Sequence, residues 1–389
     1  MSQSRIGEWV SLSAHALAIF IVGFASTVLI VMDAVRAVGA TPAQQASAIA
    51  AVCIAIGVTS LILGFRYRQP IIVAWSTPGA ALLASSHATS NFAEATAAFL
   101  FAGMLMVITA FARPLANAIN KLPSSIAGAM LAGVLLHYVM AVPGAAVAAP
   151  FVVLPLAVVF FVLRHVAPLY ATPVIVALAL VIAGVTGAFE SSVSVSMTQL
   201  QFVTPVFNFQ TLMSIGIPLY LVTMASQNLP GFAVLKSNGY EPPVQGSILA
   251  TGTSSMIASF FGAHAVNLAA ITAAMAVGPD VHPDPKQRWK VIIPYAFIYV
   301  CAGLAAATFV TVLGLLPAAL VATVAGLALL SPFLGGLVAL VRDAKDIEAA
   351  AVTFLVTGSG VTLLGVGAAF WGLLTGLLIW GFKQIWRAR

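Results

Sequence analysis

Charged residues are scarce in this sequence. Asp, Glu, Lys and Arg together make up 7% of the 389 residues, whereas 61% of the residues are hydrophobic and the mean hydropathy is +1.08. A water-soluble domain cannot carry so few charges, because its surface has to be hydrated. The chain also lacks any polar stretch long enough to form a separate soluble domain. The composition therefore excludes a soluble enzyme or binding module and indicates a single integral membrane unit.

Residues and motifs typical of catalytic or metal sites are also missing. The two cysteines, Cys53 and Cys301, lie singly inside apolar runs, so they indicate packing rather than a metal site. There is no nucleophile elbow and no phosphate-binding glycine loop, and residues 358–360 (GSG) have no acid and base partner nearby. The formal charge of +6 comes from Lys and Arg residues scattered singly, which form no continuous basic face. We therefore expect no enzymatic activity, no cofactor, no metal and no nucleic-acid partner.

Long apolar runs recur along the whole chain. Runs of roughly 17 to 25 residues are long enough to cross a bilayer as helices. We predict an all-α protein with fourteen spans, at residues 12–35, 44–64, 70–86, 91–111, 122–140, 146–163, 172–189, 211–229, 244–261, 264–277, 290–313, 317–338, 348–365 and 367–383. The first run is too long for a signal-peptide core, so it is taken as the first span.

The basic residues orient these spans. With the N-terminus in the cytoplasm, the loops after even-numbered spans and the two tails hold every Lys and Arg residue except Arg36. This asymmetry matches the positive-inside rule. If the two shortest spans, 70–86 and 264–277, were omitted, three basic residues of the intervening loops would move to the outer side. We therefore prefer fourteen spans with both termini in the cytoplasm.

The two halves of the chain share internal similarity. A shift of 200 positions aligns several small, polar and turn-forming residues without gaps: Ala25-Ser26 with Ala225-Ser226, Arg36 with Lys236, Gly39 with Gly239, Pro42 with Pro242, Gln45 with Gln245 and Ser47 with Ser247. A second match pairs Leu122-Pro123 with Leu316-Pro317, and each pair opens an Ala/Gly-rich span that ends in two leucines, Leu135-Leu136 and Leu329-Leu330. Seven spans per half is an odd number, so the second copy must enter the membrane from the opposite side. This pattern predicts an inverted-topology repeat, with chance similarity between Ala/Gly-rich helices as the alternative.

Spans three and ten each contain a break. In span three, Ser76, Thr77, Pro78 and Gly79 follow a β-branched stretch and have the chemistry of a helix start. Span ten has a counterpart at residues 262–270, in which we expect Asn267 to cap a second short helix. An inverted repeat brings two such half-helix starts together at the bilayer centre, where their partial positive charge and free N–H groups favour an anion. Two merely kinked helices are the alternative.

Further polar side chains lie inside apolar spans. Ser226, Gln227 and Asn228 are adjacent in span eight, and in lipid their partner is either a ligand carboxylate or a neighbouring helix. Trp75 and Phe24 are candidates for stacking on an aromatic ring, although aromatic residues in spans more often pack or face lipid.

Ionisable residues within the spans are few. They are Asp33, Glu94, His15, His137 and His264. Asp33 and His264 are the candidates for proton coupling, because intramembrane ionisable groups are costly and usually functional. The alternatives are an ion pair between Asp33 and Arg36, one turn away, and a structural role for His264.

These motifs carry a resemblance to a known family. Residues 76–81 (STPGAA), 221–228 (LVTMASQN), 267–274 (NLAAITAA) and 350–357 (AAVTFLVT) resemble the benzoate/proton symporter (BenE) family, and the similarity runs over almost the whole chain. The resemblance implies a bacterial inner-membrane importer that moves a small aromatic carboxylate such as benzoate, together with protons, by alternating access.

The resemblance also implies a seven-plus-seven fold with two domains. Its core domain comprises residues 1–115 and 205–315, its gate domain comprises residues 116–195 and 316–389, and the gate domains form a homodimer contact. Substrate is then expected between spans three, eight and ten. The implied substrate-binding residues are Ser76, Thr77, Gly79, Ser226, Gln227, Asn228, Asn267 and Leu268.

One departure from related carriers bears on the substrate. The nucleobase branch of this fold has carboxylates on spans eight and ten, whereas this sequence has the neutral side chains Ser226, Gln227, Asn228 and Asn267 in those regions. A carboxylate would repel an anionic substrate, whereas neutral donors accept one. The alternatives are a nucleobase or inorganic-anion carrier of the same fold, and an anion channel.

Overall fold

A computed structural model describes residues 5–85, 91–112, 123–189, 196–269 and 271–387. The predicted domain boundary between residues 115 and 116, the predicted end of the first gate segment at residue 195, and the motif residues Leu122 and Ala270 lie outside these ranges.

The first half of the described chain is almost entirely helical. Its elements are α1 (Arg5–Ala25), α2 (Val28–Ala37), α3 (Pro42–Tyr67), strand β1 (Val73–Trp75), α4 (Thr77–Ala84), α5 (Phe92–Phe111), α6 (Ser124–Ala148), α7 (Pro150–Val166) and α8 (Pro168–Val185).

The second half repeats this order of elements. They are α9 (Phe209–Ser237), α10 (Val244–Ser259), strand β2 (Val266–Leu268), α11 (Ile271–Ala276), α12 (Ile292–Leu304), α13 (Ala306–Gly314), α14 (Ala318–Val341), α15 (Ile347–Gly358) and α16 (Ala368–Arg387). Helix α9 contains two π-helical segments, Leu212–Gly216 and Met224–Asn228.

Eight helical segments in the described residues are long and apolar enough to cross a membrane, with α1 and α2 counted together. A ninth results if the pair Arg288–Leu304 and Ala306–Gly314, bent by 63°, forms one span. The other predicted spans coincide with α7, α10, α15 and the two segments made of a strand and a short helix. The chain is therefore a multi-pass membrane protein, and helix length alone does not establish all fourteen spans.

Matching residues of the two halves adopt matching backbone conformations. Gly39 follows α2 with φ of +92°, and Gly239 follows α9 with φ of +82°. Only glycine adopts such values without steric cost, which explains why glycine occurs at both positions. The α1–α2 helix is interrupted at Ser26 and Thr27, and α9 has its π-helical segment Met224–Asn228 at the corresponding place. Sequence-matched positions thus have matched local structure.

The two strands pair with each other at the junction of the halves. They run antiparallel, with Val73 opposite Leu268, Ala74 opposite Asn267 and Trp75 opposite Val266. The Ser60 hydroxyl accepts a hydrogen bond from Val73 N–H at 3.2 Å, and the Ser255 hydroxyl accepts one from Val266 N–H at 3.0 Å. Each half therefore anchors its own strand in the same way, as an inverted repeat requires.

Helices α6 and α14 cross closely at two glycine contacts. A Cβ added at Gly336 would lie 2.7 Å from the carbonyl oxygen of Gly128, and one added at Gly326 would lie 2.5 Å from that of Tyr138. The contacts run in opposite order along the two helices, so the helices are antiparallel. Small residues allow this approach because no side chain separates the backbones.

Candidate functional site

Helix α4 begins where the sequence predicts a helix start. The Ser76 hydroxyl, which is fully buried, accepts a hydrogen bond from Gly79 N–H at 3.2 Å and so caps the helix. The same hydroxyl lies 3.1 Å from the hydroxyl of Thr223 on α9. Pro78, which occupies the first turn, has no N–H that would need a partner there. The cap therefore ties the start of α4 to the π-helical region of α9.

Asn267 does not cap a helix, and that prediction was wrong. It lies in strand β2, and the helix that follows begins at Ile271. Its amide group donates to the Leu268 carbonyl at 2.9 Å and accepts from Ser76 N–H at 3.1 Å, in the orientation that satisfies both partners. Pairing with β1 keeps the backbone extended through Leu268, so Asn267 instead joins β2 to the cap of α4.

Asn228 connects α9 to the same strand. Its side-chain oxygen accepts a hydrogen bond from Leu268 N–H at 2.9 Å, and the residue is fully buried. A Cβ added at Gly231, one turn further along, would lie 2.7 Å from Leu268 Cβ, so helix and strand are in close contact. The Asn228 amide thus has a partner in a neighbouring element, which is one of the two alternatives that the sequence leaves open.

A cavity of about 170 Å³ lies between these elements and helices α6, α8 and α14. Most of its polar lining comes from one side of the cavity: Ser26, Thr27, Thr77, Gln227 and Thr272. Thr172 on α8 and Ser331 on α14 are polar lining residues on the other side. Its apolar lining includes Trp75 on that side and Leu135, Leu169, Leu329 and Pro332 opposite. The arrangement suits a small ligand that has a polar end and an apolar body.

Two of the predicted substrate-binding residues, Thr77 and Gln227, line this cavity. The others lie outside its lining. Ser76, Asn228, Asn267 and Leu268 are buried, and Ser226 is half-buried. Gly79 is also buried, and a Cβ added there would lie 2.5 Å from Leu219 Cδ1 on α9, so α4 packs tightly against α9 at this point.

Sequence reasoning did not select five polar residues that line the cavity: Ser26, Thr27, Thr172, Thr272 and Ser331. The Thr27 hydroxyl lies 2.9 Å from the hydroxyl of Thr77, which links the α1–α2 interruption to the first turn of α4. A signal was available for Ser26, because it aligns with Ser226 in the internal repeat. Polar residues at matched interruptions of both halves would have identified it.

An aromatic cluster lies beside the cavity. The ring centroids of Phe24 and Trp75 are 5.3 Å apart, and Phe24 also packs against Phe20 and Phe309. Trp75 lines the cavity, whereas Phe24 does not. Of the two residues considered for ring stacking, Trp75 is therefore the one placed to contact a ligand.

The two candidates for proton coupling have different surroundings. His264 is fully buried, and its Nε2 lies 3.1 Å from the Ser76 carbonyl oxygen, so the neutral ring carries its proton on Nε2. Its Nδ1 has no hydrogen-bond partner among the described residues. Asp33 accepts a hydrogen bond from the Arg36 guanidinium, which confirms the ion pair given as the alternative for this residue. Asp33 and Arg36 line a second cavity, of about 330 Å³, together with His137.

The family model for the benzoate membrane transport protein (BenE) matches residues 8–382. The chain belongs to this family. It is 38% identical over 368 residues to the inner membrane protein YdcO of Escherichia coli (strain K12), covering 94% of each chain. It is 29% identical over 364 residues to the benzoate membrane transport protein of Acinetobacter baylyi (strain ATCC 33305 / BD413 / ADP1), covering 92% of this chain and 91% of the relative.

Solved structures share the fold of this BenE-family chain at low sequence identity. The transmembrane domain of the cyanobacterial bicarbonate transporter BicA superposes with a TM-score of 0.62 at 13% identity, covering 97% of this chain and 98% of that domain. The structure of SLC26A9 superposes with a TM-score of 0.64 at 13% identity, and the chain spans 65% of that longer protein. These likenesses show the inverted-repeat fold. The family shows a multi-pass inner-membrane transport protein rather than an enzyme, as expected from the sequence.

Proposed function

We propose that this protein imports benzoate, or a similar small aromatic carboxylate, across the inner membrane together with protons. The observation that carries the proposal is the cavity beside the start of α4, in a chain of the benzoate transport family. Most of the hydroxyl and amide groups line one side of this cavity, and leucine and proline side chains line the other, together with the hydroxyls of Thr172 and Ser331. A carboxylate and an aromatic ring need these two environments.

The start of α4 favours a bound carboxylate. Placing a charge in the middle of a bilayer costs about 2.5–3.5 kcal/mol on insertion scales, whereas a buried helix N-terminus returns up to about 2 kcal/mol. Thr77 and Gln227, with the hydroxyls at the α1–α2 interruption, supply further donors in the cavity lining. In this proposal Thr77 and Gln227 contact the substrate. The buried residues Ser76, Gly79, Asn228, Asn267 and Leu268 and the half-buried Ser226 shape the site behind them.

The proposed architecture has fourteen spans in two inverted repeats of seven, with half-helices α4 and α11 in spans three and ten and both termini in the cytoplasm. It is supported by a helix, or a strand followed by a short helix, in every predicted span. Residues 1–115 and 205–315 form the core domain, and residues 116–195 and 316–389 form the gate domain. The strand pair joins the two core segments, and the α6–α14 crossing joins the two gate segments.

Alternating access follows from this division. The cavity is lined by both proposed domains, so a movement of one against the other exposes the site to one side of the membrane at a time. His264 is the first candidate for the proton carrier, because its Nε2 contacts the Ser76 carbonyl at the cap of α4. Asp33 is the second. We also propose a homodimer through the gate domains.

Uptake by proteoliposomes tests the proposal. Purified protein should accumulate labelled benzoate when an inward pH gradient is imposed, and a protonophore should abolish the accumulation. Absence of uptake, or uptake that ignores the gradient, would overturn proton-coupled import.

Competition distinguishes the alternative carriers, since solved relatives of the fold include a bicarbonate transporter and an anion transporter. Excess unlabelled benzoate should block uptake, whereas uracil, sulfate and bicarbonate should not. Block by one of those three would favour the corresponding carrier. Electrical currents far above carrier turnover would indicate a channel.

A further inference from the structure

Two leucines of the gate domain occupy equivalent positions in the internal repeat. Leu135 on α6 and Leu329 on α14 are each the first member of the leucine pair that ends a matched Ala/Gly-rich segment. Both line the cavity beside α4, and both are fully buried. Each also lies between the two glycine contacts at which α6 and α14 cross. The repeat thus places the same side chain on the cavity wall from each half of the molecule.

Most donors of the cavity belong to the opposite wall, and the hydroxyls of Thr172 and Ser331 are the two on the gate side. Ser26, Thr27, Thr77, Gln227 and Thr272 all come from the core domain, and the first turn of α4 lies among them. An aromatic carboxylate that directs its charged group toward these donors must direct the far end of its ring toward the gate. In benzoate the atom opposite the carboxylate is the para carbon.

We infer that Leu135 and Leu329 together form the specificity wall that limits substituents at the para position of the aromatic substrate. This inference rests on the proposed function and adds the orientation of the ring and the residues that set its size limit. The backbones of α6 and α14 are in contact on both sides of the leucines, so the two helices cannot move apart to accommodate a para substituent. Shortening either leucine removes three carbon atoms from the wall and makes room there.

Direct binding to the purified protein tests the inference. Calorimetry gives dissociation constants for benzoate, 4-ethylbenzoate and 2-ethylbenzoate. The readout is the affinity ratio, which is the dissociation constant of benzoate divided by that of the ethyl compound in the same preparation. Leu135→Ala and Leu329→Ala should each improve the ratio for 4-ethylbenzoate by about tenfold or more, because one methylene in a pocket changes discrimination by about 10- to 200-fold. The ratio for 2-ethylbenzoate should not change, because the ortho position faces away from this wall.

The neighbouring leucines provide matched controls. Leu136 is directed toward Gly358 on α15, and Leu330 packs against the Phe160 cluster; neither is part of the cavity lining. Leu136→Ala and Leu330→Ala remove the same atoms from the same two helices. Both ratios should stay unchanged, because these side chains do not line the cavity. Leu135→Val and Leu329→Val are milder truncations that should shift the 4-ethylbenzoate ratio in the same direction if the alanine variants do not fold.

The possible results distinguish the specificity wall, the ring orientation and the proposed function. Unchanged 4-ethylbenzoate ratios in the folded variants of Leu135 and Leu329, with benzoate still bound, would overturn the specificity wall and leave the proposed function intact. Equal gains for the 4-ethyl and 2-ethyl compounds would overturn the ring orientation. If the unmodified protein binds none of the three compounds, both the proposed function and this inference are wrong.

Discussion

The cap of α4 gives the sharpest test of how the site is assembled. Ser76→Ala removes one hydroxyl group that has two partners, the Gly79 N–H at 3.2 Å and the Thr223 hydroxyl at 3.1 Å. The residue is fully buried, and so is Thr223, so water cannot replace either bond. The substitution therefore affects both the start of α4 and its attachment to α9.

The expected magnitude is the sum of two losses. Removing a serine cap costs about 1 kcal/mol. Leaving a buried hydroxyl without a partner costs about 1–3 kcal/mol, and this applies to Thr223. Ser76→Ala should therefore lower the free energy of unfolding by about 2–4 kcal/mol. Ser85→Ala is the matched control at the other end of α4. Among the described residues the Ser85 hydroxyl donates only to the Leu82 carbonyl, so its loss should cost about 0.5 kcal/mol or less.

A double-mutant cycle isolates the contact between the two hydroxyls. Thr223→Val removes the partner of Ser76 but leaves the cap bond to Gly79 in place. In the combined variant, Ser76→Ala with Thr223→Val, neither hydroxyl remains, so no orphaned hydroxyl is buried. The combined loss should be smaller than the sum of the single losses by about 1 kcal/mol or more.

Unfolding by SDS in mixed micelles, followed by tryptophan fluorescence, supplies the four free energies. Benzoate affinity measured on the same samples should fall in Ser76→Ala, because the first turn of α4 loses its fixed geometry. Strictly additive losses would show that the two hydroxyls do not interact. A loss for Ser76→Ala no larger than that for Ser85→Ala would refute the account of the cap.

Three further sets of substitutions test the packing of α6 against α14, the structural repeat and the proposed proton carrier. Gly336→Ala should lower the free energy of unfolding by about 1–3 kcal/mol, because the added Cβ meets a backbone oxygen of α6 at 2.7 Å. In the control Gly335→Ala the added Cβ meets no atom within 4 Å, so stability should not change. Equal melting temperatures of the two variants in detergent would contradict this. Gly39→Ala and Gly239→Ala should each cost about 1–2 kcal/mol, because both glycines have positive φ, and a loss at only one of them would count against the structural repeat. His264→Gln should retain benzoate binding, measured by calorimetry, while uptake loses its dependence on the pH gradient. Gradient-driven uptake in this variant would exclude His264 as the proton carrier.

Much of the fold follows from local chemistry that is visible in the sequence. The bilayer requires long apolar helices, so the apolar runs show where most helices lie. Ser76 followed by Pro78 is the chemistry of a capped helix start, and α4 begins there. Gly39 and Gly239 occur where the backbone needs positive φ, so their alignment detected a real structural repeat.

The site was harder to predict because its residues depend on distant partners. Asn267 has the composition of a helix cap, but pairing between β1 and β2 keeps it in a strand. In the sequence, Asn228 has the appearance of a free amide in an apolar helix. In the structure its side-chain oxygen accepts a hydrogen bond from the N–H of Leu268, forty positions away. These outcomes are decided by contacts between elements that are distant along the chain, which propensities along one segment do not contain.

The sequence by itself determined that this protein lives in a membrane, that its two halves repeat, and which family it belongs to. These properties depend on composition, on residue spacing and on local backbone preferences. Only the tertiary structure decided which polar groups are consumed by internal hydrogen bonds and which line the cavity, because a buried donor binds whatever acceptor the fold brings within about 3 Å. For this reason Thr77 and Gln227 line the cavity, while Ser76, Asn228 and Asn267 hold the framework behind it.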